Sequence, residues 1–456
     1  MKKFFFSLIF LITSIHSQPG DAGRLVDEAK ALLDNSKYKE AEKLIIKALN
    51  TSQEEKDDFN LVRSVKLLGT LYYNYRELEA ASSFYKLAIS LMEKHFPENT
   101  DATYTDELYN IKNNLAITLM EGDRRAAYAG KISEAENLFM EVFGHYQKTG
   151  NNSGLASVLL NLAILYRLDA VADPDNSSYG ENLTEALNAL GSAKDHAVSM
   201  NDPNLIAAID FNLGVTFQSL GKLDSAAAWM RSSIDGYAAT GNGYWKAIAS
   251  LRLGYLYIEM ADRQDNGNNL RGEGISLLKN NIPVIEEFRS KFDDERGRAL
   301  FLDNLTYYYV LLINELYADK DYAAMFNLAE KVKSRSFIDM LSTKASRIEE
   351  DLPADLKYVL SRKKEIETVF RDSLWVFFNT ENSSRFGTLL NEYSELYQQK
   401  EDLQPDLKTM VSEETIKLED FQDLISEGTA VIEFFIGRNA FYTFLVTKTG
   451  ISVSRS

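Results

Sequence analysis

Leu68-Gly69-Thr70-Leu71-Tyr72, followed by Ala81, Tyr85 and Ala88, decides the reading of this chain. The phrase returns as Leu213-Gly214-Val215-Thr216-Phe217 with Gly221, Ala226 and Met230, and in both copies the Gly and the later Ala lie twelve residues apart. Small residues at a fixed interval, flanked by large apolar ones, are what two antiparallel helices need to approach closely and repeat. Ala29 and Ala41 keep the same interval, with Ile45 and Ala48 behind them. Leu311-Leu312 leads to Ala324 and Leu328. Three further copies carry insertions: Leu115-Ala116 to Ala135 and Phe139, Leu162-Ala163 to Ala186, Leu190, Ala193 and Ala197, and Leu253-Gly254 to Gly274 and Leu278. Seven helical hairpins are therefore predicted between about Asp21 and Ser342, stacked as a solenoid that holds other proteins. The insertions Ala170–Glu181 and Asp262–Glu273 read as loops.

After Ser342 the pattern changes. About Leu352 to Phe378 and about Arg385 to Leu403 read as two long helices, with Asn379-Thr-Glu-Asn-Ser-Ser384 as their turn, so 343–412 is a helical hairpin linker. Phe421 to Ile425 reads as one more short helix. The period then switches to two: Thr429 to Ile436 and Ala440 to Thr447 are strands, and Lys448-Thr-Gly450 turns into Ile451 to Ser454. The fold class is all-α, a helical solenoid and a long hairpin, followed over 413–456 by the start of a sheet. Two or three strands alone bury too little to stand as a domain.

Composition narrows the function classes. The 456 residues suffice for a sizeable core built as several units. A formal charge of −17 argues against nucleic acid, whose phosphates need a basic field. With no Cys, these residues can form no disulfide, thiolate metal site or cysteine nucleophile. Lys2 and Lys3, the apolar run Phe4 to Ile15 and the small Ser17 read as an export signal over residues 1–17, with an uncleaved anchor as the rival reading. Removing Lys2 and Lys3 takes the charge from −17 to −19. Nothing later is apolar enough to cross a membrane, so an exported chain would be periplasmic or extracellular.

The repeated phrases resemble the tetratricopeptide repeat, which places Leu-Gly and Tyr on a first helix and Ala, an aromatic and Ala on a second. That resemblance implies a right-handed solenoid with the first helices on a concave face. The segment Ala329-Glu330-Lys-Val-Lys333-Ser-Arg335-Ser-Phe-Ile-Asp-Met-Leu341 resembles the last repeat helix ahead of CHAT domains, which are caspase-like. Leu418-Glu-Asp-Phe-Gln422-Asp-Leu, Val431-Ile-Glu-Phe-Phe-Ile-Gly437 and Phe441-Tyr-Thr-Phe-Leu-Val resemble the opening of that domain. The resemblance implies a catalytic His and Cys further along the sheet, and no residue of this chain inherits either role.

Chemistry-bearing motifs are otherwise few. No Gly-x-Ser-x-Gly, Gly-x-Gly-x-x-Gly, phosphate loop or His-Glu-x-x-His is present. Asp173, Asp175 and Ser177 suggest a calcium loop, but Ser178 and Thr184 replace its Gly and Glu, and a solvated loop is the better reading. His95, His145 and His196 read as satisfied surface or groove histidines. No catalytic residue, metal site or cofactor is expected. Lys331, Lys333, Arg335, Lys344 and Arg347 read first as cations favoured near a helix C-terminus, and otherwise as a binding patch.

One constellation stands out. Asn114, Asn161 and Asn212 each directly precede the Leu of a repeat in three consecutive hairpins. By the resemblance that position faces the concave groove, where an amide can both donate to and accept from a peptide backbone. Asn110, Asn113, Ile117, Arg167, Phe211, Val215 and Gln218 would neighbour it; the carboxylate-clamping variety of the repeat uses basic residues on this face, and Arg167 alone fits, which argues against recognition of a peptide's C-terminal carboxylate. The other reading is that these Asn bridge adjacent helices. Three functions follow: an exported module binding a peptide or protein segment; the sensor half of a longer caspase-like cysteine peptidase; and a scaffold that self-associates through its incomplete sheet.

Overall fold

The computed structural model describes residues 20–97, 101–122, 129–173, 177–263, 267–289, 305–344, helical positions scattered over 354–399, 416–437 and 440–456. The export-signal residues, the turn at 379–384 and Arg347 lie outside the described residues. Among the described residues, fourteen helices make seven antiparallel pairs at the places the repeat phrase marks: α1 Asp21–Asp34 with α2 Tyr38–Glu55, α3 Asp58–Asn74 with α4 Leu78–His95, and α5 Ala102–Gly122 with α6 Ala129–Thr149. There follow α7 Asn152–Ala172 with α8 Tyr179–Ser199, α9 Pro203–Ser219 with α10 Leu223–Ala239, α11 Gly243–Asp262 with α12 Asn268–Arg289, and α13 Thr306–Ala318 with α14 Tyr322–Lys344. The short α15 Leu418–Asp423 precedes β1 Ala430–Ile436, β2 Phe441–Thr447 and β3 Gly450–Arg455. The chain is thus mostly helical with a short C-terminal sheet.

The spacing of small residues has a direct physical reading. A Cβ on Gly69 would lie 2.7 Å from the Tyr85 ring, one on Gly214 2.9 Å from Met230, and one on Gly254 2.9 Å from the Gly274 carbonyl oxygen. Each glycine sits where the two helices of its own hairpin cross. Helix starts are capped by side chains: Asp57 accepts from the Asn60 N–H at 3.0 Å, Asn151 from Gly154 at 2.9 Å, and Asp202 from Leu205 at 3.0 Å with Pro203 at the first helical position. Left-handed residues close the turns, with Gly221 at φ 72° after α9 and Arg76 at φ 57° at the matching place after α3.

The insertions differ from expectation. Ala170–Ala172 finishes α7 and Tyr179 already opens α8, so the loop shrinks to the residues between them. Ala170 is buried, and extending the helix both satisfies its backbone and covers its methyl. Hairpins three and four therefore have helices of 21 residues, against 17 or 18 in the second and fifth.

The chain forms two compact units. The first is built on residues up to 249 together with 361–397; the second on 250–289, 305–360 and 416–456. The division falls inside α11. In the first unit, successive first helices touch: α1 with α3, α3 with α5, α5 with α7, and α7 with α9. They form one continuous layer, with the second helices packed against it. Every described position between 354 and 399 is helical, as the two-helix reading expects. Arg362 donates to both Glu392 carboxylate oxygens, from Nε at 2.7 Å and Nη2 at 3.0 Å, tying the two stretches together, while Ile366, Tyr393 and Leu396 are buried.

In the second unit the sheet has the order β1-β2-β3, antiparallel throughout. Its packed side carries Phe435, Tyr442, Phe444 and Val446. The Tyr442 hydroxyl donates to Asn314 on α13 at 2.6 Å, Phe444 meets Phe326 on α14 edge-on at 5.8 Å, and Gln422 on α15 donates to the Thr447 and Gly450 carbonyls.

Candidate functional site

The first-helix layer of the first unit is the surface on which the Asn register falls. α5, α7 and α9 bring the three side chains to equivalent places, but their surroundings differ. Asn114 is buried beside the Tyr85 hydroxyl, which is 3.0 Å from Thr70. Burial pushes that hydroxyl above the ordinary tyrosine range, and hydrogen bonds from Thr70 and Asn114 pull against it. Asn161 is also buried, and its amide donates to Asn113 on the preceding first helix at 3.4 Å. This is the bridging role, realised between adjacent hairpins. Asn212 is only half-buried and donates to the Ala208 carbonyl of its own helix at 3.0 Å.

The neighbouring positions divide in the same way. Ile117 and Val215 are buried in the core. Asn110 is half-buried and accepts from the Tyr146 hydroxyl at 3.0 Å. Arg167, Phe211 and Gln218 are half-buried. The accessible part of the candidate surface thus lies on α7 and α9 around Arg167, Phe211, Asn212 and Gln218, while Asn113, Asn114 and Asn161 hold the layer together beneath it. α7 is the one described helix long and apolar enough to cross a membrane, yet 56% of that stretch is buried inside this layer.

Two features escaped the sequence reading. At the other end of the layer, Tyr72 on α3 meets Tyr393 at 6.3 Å between ring centroids, and both rings are buried. A helical segment far along the chain is thereby seated on a first helix. The second is a charged cluster across three first helices. Lys66 reaches Glu107 at 2.5 Å and Arg63 reaches Asp27 at 2.6 Å, with Lys30 close by. Burial would raise the Glu107 carboxyl, but Lys66, Arg63 and Lys30 outweigh it and hold it below the usual range. Burial lowers the Lys30 ammonium, and Lys66 adds to the effect. The spacing of these residues at matching faces of α1, α3 and α5 was the available signal; single charges on solvent-compatible helices gave no reason to group them.

The three described histidines are all engaged. His95 at the end of α4 pairs Asp58 at the start of α3 at 2.8 Å, His145 of α6 pairs Asp106 of α5 at 2.7 Å, and His196 of α8 pairs Asn152 of α7 at 3.0 Å. Antiparallel hairpins place the end of one helix beside the start of the other, so each pair clasps the base of its own hairpin. Among the described residues no group of three or more His, Asp or Glu is arranged to hold a metal ion. Lys333 bridges Glu330 and Glu433, both at 2.7 Å, joining α14 to β1. That is a structural use for one member of the basic cluster; the side chains of Arg335 and Lys344 lie outside the described residues. No protein-family model matches the chain, and no curated protein matches it.

Proposed function

We propose that this chain is an exported, non-catalytic protein-interaction module of the tetratricopeptide kind, holding a peptide or protein segment on its first-helix layer. The observation that carries the reading is the repeated hairpin, with glycine at the helix crossing in three copies (Gly69, Gly214 and Gly254) and alanine at the matching place in three others, because it yields a rigid layer whose exposed side chains are fixed before any ligand arrives. Such a surface loses little of its own conformational freedom on binding. Arg167, Phe211, Asn212 and Gln218 supply a cation, an aromatic and two amides within two adjacent helices, which suits a mixed polar and apolar segment. The seating of Tyr393 on Tyr72 supports the same reading, since the layer already receives a helical segment of its own chain. Export rests on Lys2, Lys3 and the apolar run to Ile15.

The test is selection of displayed random peptides on the purified chain. Peptides selected on it should lose binding to Phe211→Asp with Gln218→Ala and keep it with Met140→Ala, an exposed second-helix change. Selected peptides indifferent to the first pair would defeat the proposal.

A second reading is that the chain forms the regulatory part of a larger caspase-like peptidase. It is favoured by the resemblance over 418–446 and by a sheet that is apolar on both faces but packed on one. A reading frame running past codon 456 into further strands with a His and then a Cys would support it, and an immediate stop would remove it.

A further inference from the structure

Arg252 on α11 is half-buried, and among the described residues no carboxylate pairs with it. That is out of character for a chain in which Asp and Glu outnumber Lys and Arg by 67 to 50. Arg63 pairs Asp27 at 2.6 Å, Arg362 pairs Glu392, and Arg271 reaches both Glu315 oxygens at 2.9 Å. The acids of the two helices around Arg252 are engaged elsewhere. On α11, Glu259 pairs Arg263 at 2.6 Å and Asp262 pairs Arg271; Glu315, the one acid of α13, also pairs Arg271. Arg252 has tyrosines instead. Its guanidinium carbon lies 5.3 Å from the Tyr255 ring centroid, the Tyr255 and Tyr307 rings meet edge-on at 5.3 Å, and the Tyr307 and Tyr308 rings meet edge-on at 5.9 Å. The Tyr308 hydroxyl closes this circuit by accepting from Arg252. Burial raises that hydroxyl above the ordinary tyrosine range, and the charge and hydrogen bond of Arg252 pull it back.

We infer that Arg252, framed by Tyr255, Tyr307 and Tyr308, is a binding site for the side-chain carboxylate of an Asp or Glu carried by a partner segment. A guanidinium offers a fork of N–H donors and no acceptor, and the rings and one hydroxyl leave part of that fork unmatched. The Arg252 Nε–H is buried and finds no acceptor among the described residues. A cation drawn out of water without a counter-charge is costly, so a carboxylate arriving here relieves a cost that the fold already bears. The frame opens to solvent at Tyr307, which is 38% exposed, while Tyr308 beneath it is buried. The chemistry narrows the ligand further. One cation neutralises one carboxylate, whereas a phosphate monoester brings nearly two negative charges and no second cation stands among the framing residues. A planar carboxylate also matches the guanidinium fork through two parallel hydrogen bonds. The methylene groups of an acidic side chain can lie against the tyrosine rings, while a chain-end carboxylate carries a polar amide N–H at that place. All four residues belong to the second unit, so the site stands independently of the reading given to α7 and α9.

The experiment is saturation-transfer NMR of the full chain with short peptides: an acetylated, amidated Ala-Ala-Glu-Ala-Ala, the same peptide with Gln for Glu, and the Gln peptide with a free C-terminus. The expected result is that the Glu peptide binds roughly tenfold or more tightly than the capped Gln peptide, as for hydrogen bonds to a charged group. Arg252→Met should abolish that preference and Tyr308→Phe should weaken it, while Arg24→Met, an exposed change on α1, should leave it unchanged. Arg252→Lys serves where the Met variant fails to fold, since it keeps the charge and removes the fork. Equal binding of the Glu and capped Gln peptides overturns the inference, as does a preference that Arg252→Met or Arg252→Lys leaves intact. Tighter binding of the peptide with the free C-terminus overturns the assignment to a side chain. Inorganic phosphate displacing the Glu peptide at lower concentration than acetate overturns the assignment to a carboxylate.

Discussion

The helical hairpins and the C-terminal sheet solve the same packing problem to different degrees. In a hairpin each helix finds its partner within about twenty residues, and the small residues of one lie under the large residues of the other. Gly69 under Tyr85 and Gly214 under Met230 show this locally, and the next hairpin then covers what remains. Among the described residues the sheet is packed on one face, and the other face is largely exposed. Phe444 is fully buried and Phe434 is 53% exposed, although both belong to the same three strands. What separates them is the register: Phe434 stands opposite Thr443, the chain neighbour of Phe444, so the two rings fall on opposite faces and only one meets α14. The comparison teaches that a repeat completes its own core by proximity in sequence, whereas a sheet depends on what is brought to it.

The largest expected effect breaks that comparison at the sheet itself. Phe444→Ala should cost about 3–5 kcal/mol, as for a buried aromatic against Phe326, while Phe434→Ala should change stability by about 0.5 kcal/mol or less. Denaturant unfolding of the two variants at low protein concentration measures the difference directly. Comparable losses would mean that the bare face is already covered.

Within the hairpins, the glycines should divide by what they face. Gly274 and Gly254 approach each other's backbone, with a Cβ on Gly274 at 2.7 Å from the Gly254 carbonyl oxygen. A backbone cannot swing aside, so Gly274→Ala should cost about 1–3 kcal/mol despite the better helix propensity of Ala. A Cβ on Gly214 would meet the Met230 side chain at 2.9 and 3.0 Å and the Ala226 carbonyl oxygen only at 3.1 Å, a looser backbone approach. Gly214→Ala should therefore cost less, about 1 kcal/mol or below, because the propensity gain of about 1 kcal/mol offsets part of the repacking. Thermal unfolding of both variants decides it. Equal effects would show that the two crossings are not built differently.

The glycine and alanine register was legible in the sequence because it encodes a distance: a residue without a side chain is needed wherever two helices touch. The strands were legible for a similar reason, since the apolar run changes period after Thr429. The candidate site was legible only in part. Asn114, Asn161 and Asn212 share a position on their helices, but whether an amide faces solvent or a neighbour depends on what the adjacent hairpin offers. Asn113 stands ready for Asn161, and Tyr85 for Asn114; nothing comparable is found at Asn212. The seating of Tyr393 on Tyr72 joins residues so far apart that no local pattern could announce it.

This division gives the next test. Asn161→Ala should lower stability by about 1–3 kcal/mol, because it leaves buried Asn113 with a lost partner. Asn212→Ala should lower it by about 0.5 kcal/mol or less, since a half-buried amide can turn to water. In the peptide-selection assay the order should reverse, with Asn212→Ala weakening capture and Asn161→Ala acting only through folding. Equal losses of stability would place the two amides in one class.

The smallest expected effect concerns pH and the charged cluster shared by α1, α3 and α5. Burial raises the Glu107 carboxyl, but Lys66, Arg63 and Lys30 hold it below its ordinary value, so the folded chain binds that proton less readily than the unfolded one. A depressed carboxyl contributes stability that is fully present above the unfolded value, near 4.3, and is lost as pH falls through the lower folded value. Unfolding midpoints should therefore decline below about pH 4.3 more steeply in the native chain than in Glu107→Gln, which cannot titrate there. The two curves should converge at the acid end, where the native carboxyl is protonated too. The sheet variant Phe434→Thr should leave this slope unchanged, because nothing on the bare face titrates in that range. A Glu107→Gln curve parallel to the native one would mean that Lys66 gains nothing from the charge on Glu107, and the cluster would then hold the first helices together by hydrogen bonding alone.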